Sequence, residues 1–196
     1  MNTLITDSAI GKWLQKYYII RVSFSILWIL LAVTIGKHSI IAGAILLVAY
    51  PAWDALANFI DAKKSGGLAK NFAQRLNLFL SLAAALAIGI SLIYGTSAAI
   101  IVFGLWAIAS GVFQLLAALK RRAVSGGQWA MILSGAQSAL AGGFFIKQAV
   151  GGIGLDVSVV TPYAAFGAFY FAVAAALLTR RTPTKPKLQP TTRHIP

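Results

Sequence analysis

The residue best equipped for chemistry is Asp54, an acid set inside the apolar stretch from Ser39 to Ile60. Inserting an Asp at the centre of a bilayer costs about 2.5–3.5 kcal/mol, and somewhat less nearer a surface. A proton, a cation, water or hydrogen bonds must offset that cost. Tyr50, Asn58 and Asp61 fall at offsets of −4, +4 and +7 from Asp54. At about 100° per helical residue the four project within roughly 80° of one another, so they share one face. Asn77, Ser81, Ser110, Gln114 and Ser134 lie at comparable depth in other apolar stretches, with Gln137 nearer the middle. The expected polar cluster is therefore Tyr50, Asp54, Asn58, Asp61, Asn77 and Gln114. Arg21 and Arg75 can each reach Asp54 by laying an apolar stem along the bundle. Pro51 frees the carbonyl of Leu47, which invites a kink or a water.

Two chemistries compete for this cluster. In one, the carboxylate titrates or coordinates a passing cation, as in a small proton or cation channel or transporter. In the other it anchors an interhelical hydrogen-bond cluster, worth about 0.6 kcal/mol per contact. The opposite half of the chain's apolar stretches offers little beyond Ser91, Ser158 and Thr161 as further polar stations. A second set of residues is made for packing: Gly135, Ala139 and Gly143 form a small-residue ridge, and Ala107 with Gly111 repeats it. Such ridges let helix backbones approach closely, within one bundle or across a homo-oligomer interface.

Catalysis lacks its parts. The chain has no Glu and no Cys, and its two His, at 38 and 194, fall outside the expected helices. A paired-carboxylate site, a Ser/His/Asp triad and a His-rich metal site cannot be assembled from that inventory. No phosphate-cradling Gly-rich motif occurs, and Gly151-Gly-Ile-Gly154 reads as a flexible turn. No enzyme activity, cofactor or metal is expected. His38 can gain charge below about pH 6.5, although a lone turn His carries no role by itself.

The elements that hold these residues are read from composition. Of 196 residues, 59% are hydrophobic and 11% charged, with a net charge of +13. A water-soluble domain of that composition would expose large apolar patches, and a disordered chain needs lower hydrophobicity. The cations cluster between long apolar runs, which is a membrane pattern rather than a nucleic-acid-binding one. Six runs approach the roughly 20 residues that span a bilayer: 17–36, 39–60, 76–94, 97–119, 128–150 and 157–179. The expected fold is all-α, a polytopic bundle of six transmembrane helices made of three two-helix hairpins.

Fifteen Lys and Arg lie on one side of these runs, against Lys37 and Lys147 on the other. The positive-inside rule then places both termini in the cytoplasm. Anionic lipids would attract the basic loops by about 1 kcal/mol per cation. The expected organisation is a cytoplasmic segment 1–16, a transmembrane domain 17–179 and a disordered basic tail 180–196. The start of the chain lacks a signal-peptide pattern, so the first run is read as retained. Basic exits ending in Gly66-Gly67 and Gly126-Gly127 suggest a parallel repeat of hairpins, with Arg180-Arg181 as a third.

The stretch from Gly104 through Trp106, Gly111, Phe113 and Gln114 to Arg121 resembles the bacterial HdeD-like acid-resistance membrane proteins, built from short two-helix repeats of unknown function. Gly126 to Gly143 is similar to the family's next helix. The resemblance covers residues 76–180 well and the first hairpin less well, where Pro51 and Asp54 depart from the apolar pattern. It implies a six-helix bacterial inner-membrane protein associated in some relatives with survival at low pH, and no catalytic residue. A third reading is a purely structural or partner-binding subunit, in which the small-residue ridges carry the role.

Overall fold

The computed structural model describes residues 2–64, 66–121, 129–152 and 154–179. Among these the chain is helical throughout, with no strand. In hydrocarbon every backbone N–H and C=O must be satisfied within its own segment, and only helices and closed barrels achieve this. The six α-helices are α1 Asn2–Thr34, α2 Ile40–Lys64, α3 Phe72–Ser91, α4 Thr96–Arg121, α5 Trp129–Val150 and α6 Thr161–Thr179. Short 3-10 turns, Gly36–His38, Leu92–Tyr94 and Val157–Val160, sit where α1 meets α2, α3 meets α4 and α5 meets α6. Gly95 ends the second of these at φ 103°, a left-handed conformation that favours glycine.

Five stretches are long and apolar enough to cross a membrane: Lys12–His38, Ile40–Lys64, Phe72–Tyr94, Thr96–Leu116 and Val157–Leu177. The sixth expected span, α5, is not among them. Ile40, Ile41, Leu86, Ile93 and Leu140 point outward and are largely exposed. In water such a shell would aggregate, whereas a bilayer solvates it.

Two boundaries differ from the sequence expectation. α1 runs unbroken from Asn2, so residues 2–16 continue the first span's helix. α2 continues to Lys64, straight through Pro51. Asp54 is thus ten residues from the helix end, about 15 Å at 1.5 Å per residue. The expected disordered tail, 180–196, and most of the basic loop between α4 and α5 lie outside the described residues.

The helices close a ring in chain order, with α6 returning to α1. The pairing is uneven. The most extensive packing joins α4 to α5, then α2 to α3 and α1 to α6, while α1–α2 and α5–α6 touch sparingly. The pairs joined by tight turns are therefore not all the pairs that pack. The segment between α5 and α6 dips into the bundle, burying Val157 and Val160. Those valines join Trp28, Leu47, Ile100 and Phe103 in a single core. Tyr50 lies at its centre, with the rings of Trp28, Phe103, Trp106 and Tyr163 about it at 5.1–6.1 Å between centroids. Trp28 also donates its indole N–H to the Leu46 carbonyl at 2.8 Å, one residue from the carbonyl that Pro51 frees.

Candidate functional site

Asp54 faces inward from α2, and Arg21 on α1 forms an ion pair with it. The side chains are 13% and 15% exposed, so the pair is mostly withdrawn from the surroundings. Opposite charges at contact cancel the field that makes a lone carboxylate costly in hydrocarbon. Three more polar side chains complete the arrangement. Asn58, one turn on, donates to Asp54 Oδ2 at 3.0 Å and to its carbonyl at 2.8 Å. Ser81 on α3 donates to Oδ2 at 2.9 Å, and Trp106 on α4 donates to Ser81 Oγ at 3.1 Å. One carboxylate thus links four helices, and donors occupy both of its oxygens.

Arg21 is held on its other faces. Its guanidinium stands 4.5 Å over the Phe171 ring of α6, and Nη1 reaches the Tyr17 hydroxyl at 3.4 Å. Arg75, the other cation within expected reach, instead lies over the Phe72 ring at 5.5 Å.

Asp61 does not join this cluster. It is buried farther along α2, where Trp13 and Gln74 donate to it at 3.2 and 3.3 Å. Its expected place beside Asp54 is corrected by distance along the helix: seven residues are about 10 Å. The shared face puts the two acids in line without bringing them together.

Tyr50, Asp54, Asn77 and Gln114 do come together, on the wall of a cavity of about 420 Å³ that all six helices line. Asn77 and Ser110 both line this wall, and Asn77 Oδ1 and Ser110 Oγ are buried behind it without a hydrogen-bond partner among the described residues. Ser134, Gln137 and Ser138 of α5 face the same space. Ser138 donates to the Tyr163 hydroxyl at 2.9 Å. Sequence reasoning did not single out Ser138 or Tyr163. The available signal was a tyrosine within an apolar run, whose hydroxyl needs a partner when buried.

Beyond the cavity the polar path stops. Ser91 and Thr161, two of the three stations expected in the other half, donate to the backbone carbonyls of Ile88 and Ser158. Ile88, Ile100, Phe103 and Val160 fill that half with no exposure. His38 is exposed in the turn after α1, beside a shallow pocket of about 120 Å³ that Asp156 also lines.

The small-residue ridge joins α4 to α5. A Cβ on Gly111 would meet the Gly135 carbonyl oxygen at 2.5 Å and the Ala139 nitrogen at 2.7 Å. A Cβ on Gly135 would meet the Gly111 oxygen at 2.7 Å, and Ala107 is fully buried nearby. Gly143 departs from expectation, with nothing within 4 Å of its Cβ position. Gly142 takes its place, opposite Gly104, and a Cβ on either would fall within 3.0 Å of the other's carbonyl oxygen. The reason is angular. From Gly135, Gly142 is rotated by about −20° and Gly143 by about 80°, so the seven-residue step stays on the seam. These glycines are occupied within the chain.

Residues 76–147 match a family described as a short repeat of unknown function (DUF308). The match starts inside α3, takes in all of α4 and reaches Lys147 in α5, so it contains both glycine pairs. No curated protein and no solved structure matches the chain.

Proposed function

We propose that the chain is a non-enzymatic, multi-pass protein of the bacterial inner membrane that supports tolerance of acid or membrane stress. Both termini are cytoplasmic in this reading, and α5 forms the sixth crossing. Three things support it: the apolar helices, the match of residues 76–147 to a short-repeat family, and the resemblance to HdeD-like proteins. The tight antiparallel packing of α5 on α4, backbone against backbone at two glycine pairs, favours counting α5 as a span.

One observation favours this reading over a proton or cation channel. Asp54 is paired with Arg21 and accepts from Asn58 and Ser81, and described residues of the far half of the bundle are packed with apolar side chains. A conducting path needs polar stations across the whole membrane, and among the described residues the polar side chains of the cavity wall gather on one side. The site is arranged to hold something, or to hold the helices, rather than to pass ions.

Liposomes containing the purified protein test the distinction. Wild type and Asp54→Asn are expected to show equal, background proton and cation flux between pH 7 and about 4. Flux above background that disappears in Asp54→Asn would reinstate the channel. For the physiological half, a deletion strain is expected to survive acid challenge less well than its complemented counterpart. Equal survival would remove the stress role.

A further inference from the structure

The central cavity is graded along its length. Following α5, its wall reads Ser134, Gln137 and Ser138, and then Ala141, Phe144 and Phe145. α4 repeats the order, with Gln114 and Ser110 followed by Trp106. The polar end lies toward the basic loops, and the apolar end toward the middle of the bundle.

The cavity is also open sideways. Leu140, Phe144 and Phe166 line it and yet are 76%, 54% and 52% exposed. All three stand on α5 and α6, the helices that pack sparingly. The mouth is therefore a slot between two helices, rimmed by apolar side chains and facing lipid. At about 420 Å³ the volume lies in the range of small-molecule sites.

From this geometry we propose that the cavity binds a single-chain amphiphile with an uncharged, hydroxyl-bearing head, taken laterally from the bilayer between α5 and α6. A monoacylglycerol has the right chemistry. Its orientation follows from the gradient: head toward the basic-loop side, acyl chain toward the middle, as a lipid of that leaflet already lies.

The head's charge follows from the wall. Arg21 and Asp54 are the charged residues on the described wall and pair with each other, so that wall offers no net charge to hold an anion or a cation. It brings polar side chains to one end, those of Ser134 and Gln137 on α5 opposite Asn77 and Ser110 on α3 and α4. A hydroxyl-bearing head can exchange hydrogen bonds with such groups, which an acyl chain cannot. The chain needs only an apolar slot, which the phenylalanines provide. This inference is independent of the acid-stress role, because binding is read without any stress phenotype.

The test uses the full chain in phosphatidylcholine vesicles and a monooleoylglycerol carrying a photoactivatable diazirine in its acyl chain. Mapped adducts are expected on the slot, at Leu140, Phe144 and Phe166. Unlabelled monooleoylglycerol should displace them, whereas lysophosphatidylglycerol and octadecene should compete at least about tenfold less well. Adducts spread evenly over lipid-facing positions such as Ile40 and Ile93 would overturn the site. Equal competition by octadecene would overturn the role of the head, and equal competition by lysophosphatidylglycerol its neutrality. Gly167→Leu, which places a side chain in the cavity, should abolish slot adducts. Ser134→Ala removes one hydroxyl from the polar end of the wall without adding bulk, so folding is preserved. It should weaken monooleoylglycerol competition several-fold, and an unchanged value would overturn the head's placement.

Discussion

Arg21 and Asp54 are 33 positions apart in sequence and form one neutral unit inside the bundle, bridging α1 to α2 where those helices otherwise touch little. Breaking a buried pair strands a charge, whereas removing both halves strands none. Arg21→Met is therefore expected to destabilise the protein by about 3–5 kcal/mol, with the double variant Arg21→Met, Asp54→Leu recovering much of the loss. Thermal unfolding in detergent micelles reads this directly. A single variant no less stable than the double would show that the two charges are not coupled.

The α4–α5 seam makes a prediction at adjacent positions. Gly142 lies against the Gly104 backbone, while Gly143 has open space. Gly142→Ala must push two backbones apart, an overpacking cost of about 1–3 kcal/mol. Gly143→Ala meets nothing and gains helix propensity, so it should be neutral or stabilising by up to about 1 kcal/mol. Unfolding midpoints that fall equally for both would refute the seam's register.

How far the site was legible follows from these residues. Asp54 announced itself, because an acid in an apolar run demands compensation, and Arg21 was one of two cations with the reach. Periodicity placed Tyr50, Asp54, Asn58 and Asp61 on one face, but a face is not a site: Asp61 lies too far along the helix and bonds to Trp13 and Gln74. The ridge was legible as small residues, and its exact members were not. Choosing Gly142 over Gly143 needs the partner helix, which sequence spacing alone does not supply. The cavity and its slot were invisible for the same reason. They lie where α5 and α6 pack sparingly, beside the buried Val157 and Val160, and that is a matter of tertiary packing. The helices themselves were the easiest part, since hydrocarbon leaves the backbone so few choices.

The proposed six-span topology rests most heavily on α5, and the chain's lack of cysteine makes it straightforward to probe. Ser125 precedes α5 and Gly154 follows it; Gly154 is exposed, with nothing within 4 Å of its Cβ position. Single variants Ser125→Cys and Gly154→Cys can be treated with a membrane-impermeant maleimide in intact cells and again after permeabilisation. The positive-inside count keeps the segment holding Arg121 and Arg122 in the cytoplasm. The Ser125→Cys variant should thus label only after permeabilisation, and the Gly154→Cys variant in intact cells. If α5 turned back without crossing, both positions would share one side and label together. That outcome would leave five spans, move the two termini to opposite sides, and place the slot between α5 and α6 against a different boundary of the membrane.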